Sequence, residues 1–140
     1  MGKMTSAPDA QIAELLRTAR TIAVVGLSPD RTRPSNGIAR YLQRSGYRVI
    51  PVNPTQQEVL GEKCYPNLAA IPEPIDIVDI FRRSEFVPDI AAEAIAIGAK
   101  GLWMQLGVFN EEAAQHASEA GMIVIQDKCI MVEHMRLLGA

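Results

Sequence analysis

Apolar and polar positions along this chain follow two rhythms, one of short β-rich runs and one of helical periods. Ile12, Leu15, Leu16 and Ala19 follow an i, i+3, i+4, i+7 spacing, which predicts a helix over Asp9 to Ala19 with one apolar face. Ser6, Pro8 and Asp9 supply its start signals. Thr21 to Val25 is a continuous β-prone run ending at Gly26, the pattern of a strand buried on both faces. A polar, proline-containing loop follows, Leu27 to Pro34. Ser35 is the expected N-cap of a helix that carries Ile38, Ala39 and Leu42 and stops at Gly46. Arg48 to Val52 reads as the second strand, ended by Asn53-Pro54.

Thr55 to Pro74 is the least regular stretch, with one helical turn expected at Leu68 to Ile71 and a short edge strand at Cys64-Tyr65. Ile75 to Phe81 then reads as a strand. Pro88 to Ile97 reads as a helix with Ile90, Ala91, Ala94 and Ile95 on one face and Gly98 as its stop. Gly101 to Gln105 is a strand, and Asn110 caps a helix over Glu111 to Ala120. Glu111 and Glu112 suit the positive end of that helix. Met122 to Gln126 is the last strand and Ile130 to Leu138 the last helix.

Strands alternating with helices imply βαβ units and a parallel sheet. The expected class is therefore α/β, a Rossmann-like three-layer fold. Its sheet is mostly parallel, with five or six strands, and right-handed crossovers put helices on both faces. The length of 140 residues suits one domain over the whole chain, the N-terminal helix packing on it. Hydrophobic residues make up 48%, enough for a core.

Charge and cysteine content narrow the function classes. A formal net charge of −2 argues against a general nucleic-acid binder. Cys64 and Cys129 are too few for a disulfide scaffold and fit a reducing compartment. Met1 to Ala10 lack the apolar run of a signal peptide, and no stretch reaches the ~18 apolar residues of a membrane span. The expectation is a cytoplasmic protein with a small-molecule ligand, off the membrane.

In a parallel sheet, ligands bind beyond the carboxyl ends of the strands, where strand order reverses. The first such place begins at Gly26, where a dinucleotide fingerprint G-x-G-x-x-G would start. Only its first glycine is present, and the loop is longer than the fingerprint allows. Ser28, Thr32 and Ser35, with Arg31, Arg33 and a helix N-terminus, offer another way to hold phosphate. A solvated connecting loop has the same composition. After the second strand, Asn53 and Pro54 stand where NAD binders usually carry an acid for the ribose diol. Without that acid a phosphorylated ribose is not repelled, which suits coenzyme A or NADP; a plain turn also accounts for the pair.

The other strand ends add Phe81, Arg82 and Arg83, suited to phosphates or an adenine ring, or to an exposed helix flank. Gln105, Leu106 and Gly107 suit a polar, peptide-like chain, or a simple turn. Lys128 suits an anion and Cys129 a ligand thiol, although a free cysteine is more often inert packing. The two histidines and two cysteines match no metal-site spacing. There is no G-x-S-x-G elbow and no Walker-type loop. Asp76 and Asp79, three apart in a strand, cannot share a face as an acid/base pair.

Several segments in one order resemble a known family. They are Ile22 to Ser28, Arg33 to Asn36, Val49 to Pro54, Leu60 to Lys63, Ile77 to Arg83 and Trp103 to Gly107. Together they resemble the small stand-alone CoA-binding domain proteins, which are similar to the CoA-binding domain of the succinyl-CoA synthetase α subunit. The resemblance covers roughly Thr21 to His134. It implies coenzyme A bound at the carboxyl edge of the sheet and wrapped by the loop after the first strand, which Ser28 to Arg31 occupy here; Gly26 and Leu27, at the start of that loop, are counted with the site from their place after the strand. It extends that site to Val52-Asn53-Pro54 and to Met104-Gln105-Leu106. The basic residue that the synthetase carries after its second strand is missing, since Gln56 falls near that place. Arg31, Arg33 or Arg82 is left to supply its charge.

The resemblance also marks a departure. The synthetase uses a phosphorylated histidine on a second domain and a nucleotide-binding partner subunit; His116 and His134 match neither. The reading is a carrier, sensor or accessory module for CoA or acyl-CoA with no chemistry of its own. The alternatives are a subunit of an acyl-CoA-handling enzyme with an unseen partner, or a module for NADP or another nucleotide.

Overall fold

A computed structural model describes residues 6–139; the first half of the stretch read for a targeting signal, residues 1–5, lies outside them. The main strands are β1 (Thr21–Val25), β2 (Arg48–Val52), β5 (Ile77–Ile80), β6 (Gly101–Met104) and β7 (Ile123–Ile125). They pair in parallel in the order β2-β1-β5-β6-β7. The chain leaves β1 for β2 on one side, then crosses to β5 on the other, so strand order reverses between β1 and β5.

Five helices cover the sheet in two layers. Helices α1 (Asp9–Thr18), α2 (Pro34–Arg44) and α5 (Ile130–Leu138) pack with Ile22, Val24, Val49, Ile77, Trp103 and Ile125. Helices α3 (Val87–Ala96) and α4 (Glu111–Glu119) pack with Ala23, Val25, Ile50, Val78, Ile80, Leu102 and Val124. Neighbouring residues of each strand thus serve opposite layers, and the strands read as continuous apolar runs because both faces are covered. This is the three-layer, Rossmann-like α/β fold that the pattern predicts, with five main strands.

Local differences have local causes. Ser35 does not cap α2: the cap lies two residues earlier, at Arg33, with Pro34 in the first turn. Proline's fixed φ and missing N–H suit that turn, which outweighs the capping preference of serine. Cys64-Tyr65 is not an edge strand. Instead β3 (Glu58–Val59) and β4 (Glu62–Lys63) form a small antiparallel hairpin, and Tyr65 makes a single parallel bridge to Val52. Its two-residue turn, Leu60-Gly61, has φ +56° and +77°, the left-handed pair of a type I′ hairpin. Asn110 caps α4 as expected, its side chain accepting the N–H of Ala113. The helical turn near residue 68 is a 3₁₀ turn, Leu68–Ala70.

Candidate ligand-binding crevices at the switch point

The loop after β1 is held by its own side chains. Ser35 Oγ accepts the N–H of Ser28 at 3.0 Å, and Asn36 Nδ2 donates to the Ser28 carbonyl at 2.9 Å. Ser28 Oγ accepts the N–H of Asp30, and Asp30 accepts the Thr32 hydroxyl and N–H. Those Thr32 hydrogen bonds hold the Asp30 carboxyl below the usual carboxylate range. The effect is to fold residues 26–35 back over the first turn of α2. Leu27, fully buried, pins the loop from below.

Two crevices open on either side of this edge and share Gly26. The first, of about 470 Å³, lies on the side of α2 and α5. It is lined by Gly26, Ser28, Arg33, Ser35, Phe81, Gln105, Leu106 and Cys129, all singled out in the sequence, together with Pro34, Ile38 and Val108. Cys129 is the cap residue of α5, so two helix N-termini, of α2 and α5, border one cavity. The partial positive charge at those helix starts favours an anion. No ion pair among the described residues engages the exposed guanidinium of Arg33. The remaining wall is apolar, through Ile38, Val108 and Phe81.

The second crevice, of about 420 Å³, lies on the α3 side. Asn53, Pro54 and Arg82 line it, with Thr55, Asn67 and Glu93 among the others. Asn53 Nδ2 donates to the Leu27 carbonyl at 3.1 Å while its Oδ1 accepts from Thr55, so its amide ties the two loops together. Glu93 Oε1 accepts the N–H of Leu68. Arg82 crosses the ridge between the crevices: a Cβ on Gly26 would stand 3.1 Å from its Cδ, and its guanidinium stacks on Phe86 at 4.2 Å. Gly26 itself has φ +88°, a conformation that L side chains rarely adopt.

The structure thus divides the sixteen expected positions. Eight line the first crevice, three more the second, and five line neither: Leu27, Arg31, Arg83, Gly107 and Lys128. Arg31 is exposed, its carbonyl accepting from Arg40, and Gly107 donates its N–H to Asp127 at 2.7 Å. The Lys128 carbonyl accepts the indole N–H of the fully buried Trp103. Ile38 and Val108 escaped notice because an apolar residue near a helix start or in a loop reads as core. Glu93 gave no signal, since nothing in its local pattern reports the approach of the Leu68 turn. His134, buried, is bonded through Nδ1 to the Tyr41 hydroxyl at 2.7 Å, and burial lowers its pKa.

Comparison with known proteins bears directly on this edge. The family described as CoA binding domain matches residues 20–135. The chain belongs to that family. Within its span fall β1, both crevices and all but the last turn of α5. The YneT protein of Bacillus subtilis is 46% identical over 131 residues, covering 94% of this chain and 97% of YneT. An ADP-forming acetate–CoA ligase II of Archaeoglobus fulgidus is 32% identical over 100 residues, 70% of this chain. The match spans only 15% of that ligase's length. A solved Pyrococcus horikoshii protein is 42% identical, with a TM-score of 0.91, covering 99% of this chain and 100% of its own. The chain is thus similar both to proteins of its own size and to one part of a much longer acetate–CoA ligase.

Proposed function

We propose that the two crevices together bind coenzyme A or an acyl-CoA, and that the chain acts as a carrier, sensor or accessory module without chemistry of its own. One observation carries the reading: the folded-back loop sets Arg33 and the N-termini of α2 and α5 around one cavity at the switch point. Phosphates suit the positive helix ends and the arginine. A long, partly apolar tail suits the Ile38, Phe81 and Val108 wall. Family membership points the same way. An NADP site is disfavoured because the loop lacks the glycines that bring backbone against a dinucleotide pyrophosphate.

Thermal-shift titration tests this. A ligand at 100 times its Kd adds about 2.7 kcal/mol to the folded state, so CoA raises the melting temperature while NADP leaves it in place. A rise with NADP and none with CoA overturns the reading. The likeness to part of a longer acetate–CoA ligase supports a second role, as a separately encoded piece of an acyl-CoA-handling enzyme. Gentle isolation of the chain with a co-purifying ligase component would favour that role; a chain that elutes alone counts against it.

A further inference from the structure

Among the described residues, only Asp79 carries buried side-chain oxygens with no hydrogen-bond partner, and both of its oxygens are in that state. The residue is fully buried on β5, the strand beside the switch point. Buried polar groups are nearly always bonded, so an orphaned carboxyl in the central strand calls for a reason. Burial pushes its pKa well above the usual carboxylate range, which favours the neutral acid, a form able to donate through O–H and accept through C=O.

Its neighbours show what lies beside it. The register aligns Val24, Asp79 and Trp103 across β1, β5 and β6. Val24 and Trp103 pack in the α1, α2 and α5 layer, and so does Phe81, the next residue on Asp79's own face. Two residues further along the three strands stand Gly26, Phe81 and Gln105, and all three line the first crevice. Asp79 therefore lies one pleat, about 7 Å, beneath the crevice floor. Phe81, half-buried, stands just beyond the end of β5, between Asp79 and the crevice along the chain.

We propose that Asp79 is the inner anchor of the first crevice, meeting the amide- and thiol-bearing tail of a bound CoA as Phe81 rotates aside. The inference rests on the CoA reading above and assigns the end of the ligand farthest from the phosphates. A neutral acid suits this place, because a tail with N–H, S–H and C=O groups offers it both donors and acceptors. It also adds no charge against the ligand's phosphates.

The test compares two probes on three proteins by calorimetry. The probes are CoA and adenosine 3′,5′-bisphosphate, which keeps the nucleotide and lacks the tail. The proteins are the wild type, Asp79→Leu, which removes both hydrogen-bonding atoms, and Asp79→Asn, which keeps a donor and an acceptor. Asp79→Leu is expected to weaken CoA about tenfold while the bisphosphate is unaffected, and Asp79→Asn to recover most of that loss. Folding of each variant is checked by its melting temperature, expected to rise for Asp79→Leu as the orphaned acid is replaced by an apolar side chain. An infrared carbonyl band that is present in the wild type and absent from Asp79→Asn supplies a second reading. The band is expected to shift on adding CoA and not on adding the bisphosphate. Equal losses for both probes, an unchanged ratio in Asp79→Leu, or a band indifferent to CoA overturns the assignment. A wild type that binds the bisphosphate and CoA equally well overturns the anchor alone; one that binds neither overturns the CoA reading and the anchor with it.

Discussion

Gln105 Oε1 accepts the N–H of Ile130 at 3.0 Å, a buried bond from the end of β6 to the first residue of α5. It satisfies one of the donors that a helix start leaves open, and it holds that start against the first crevice. Gln105→Ala leaves the Ile130 N–H buried and unpaired. The expected loss is about 1–3 kcal/mol in urea unfolding. CoA affinity is expected to fall as well, because the cavity loses both a wall and the placement of α5.

Gly26→Ala tests the ridge between the crevices. A Cβ there meets Arg82 Cδ at 3.1 Å and the Phe81 carbonyl at 3.3 Å, on a backbone at φ +88°. The carbonyl is backbone, so no side-chain rotation relieves that contact. A loss of about 1–3 kcal/mol is expected by urea or thermal unfolding. CoA binding, measured by calorimetry, is expected to weaken, since Arg82 is pushed from its place on Phe86.

Asp79 gives stability a pH dependence of definite sign. Its carboxyl is raised in the folded state, so between the unfolded value of about 4 and the folded value the native chain holds a proton that the unfolded chain releases. Protons then favour the folded state, and Asp79's contribution to stability declines as pH rises through that window. Asp79→Asn removes the term. Its urea midpoint is expected to gain on the wild type progressively between pH 5 and pH 7, about the range where ordinary carboxylates are already ionised. A constant difference across that range would contradict the sign.

The two arginines are expected to differ. Arg33→Ala removes the exposed cation that lines the first crevice, and CoA affinity is expected to drop about tenfold at low salt and less at high salt. Arg82 borders the second crevice with Asn53 and Pro54. If it holds the 3′-phosphate, Arg82→Ala weakens CoA more than dephospho-CoA. Equal losses for the two ligands would assign that phosphate elsewhere.

Much of this architecture was legible in the chain's pattern, and the reason is local. Thr21–Val25, Arg48–Val52 and Ile130–Leu138 matched their expected bounds, and the ends of the other main helices and strands differed by a residue or two, because each apolar period is bounded by a glycine or a cap. The β3–β4 hairpin was missed. Its turn uses Leu60 at φ +56°, where asparagine or aspartate would have announced it. Phe81 and Arg82, adjacent in sequence just beyond the end of β5, fall into different crevices, one on each side of the sheet edge.

The sequence by itself determined the α/β class, the positions of the elements, and the strand ends where a ligand site belongs. Hydrophobic period, caps and turn residues act over a few positions and can be read in order along the chain. Only the tertiary structure decided which strand ends stand together. The order β2-β1-β5-β6-β7 sets the loop after β1 beside Phe81, and it encloses Asp79 between Val24 and Trp103. These are pairings between residues tens of positions apart, set by how the sheet and its two helix layers close over one another. No local pattern encodes whether a single aspartate in a β-rich run will find a partner when they do.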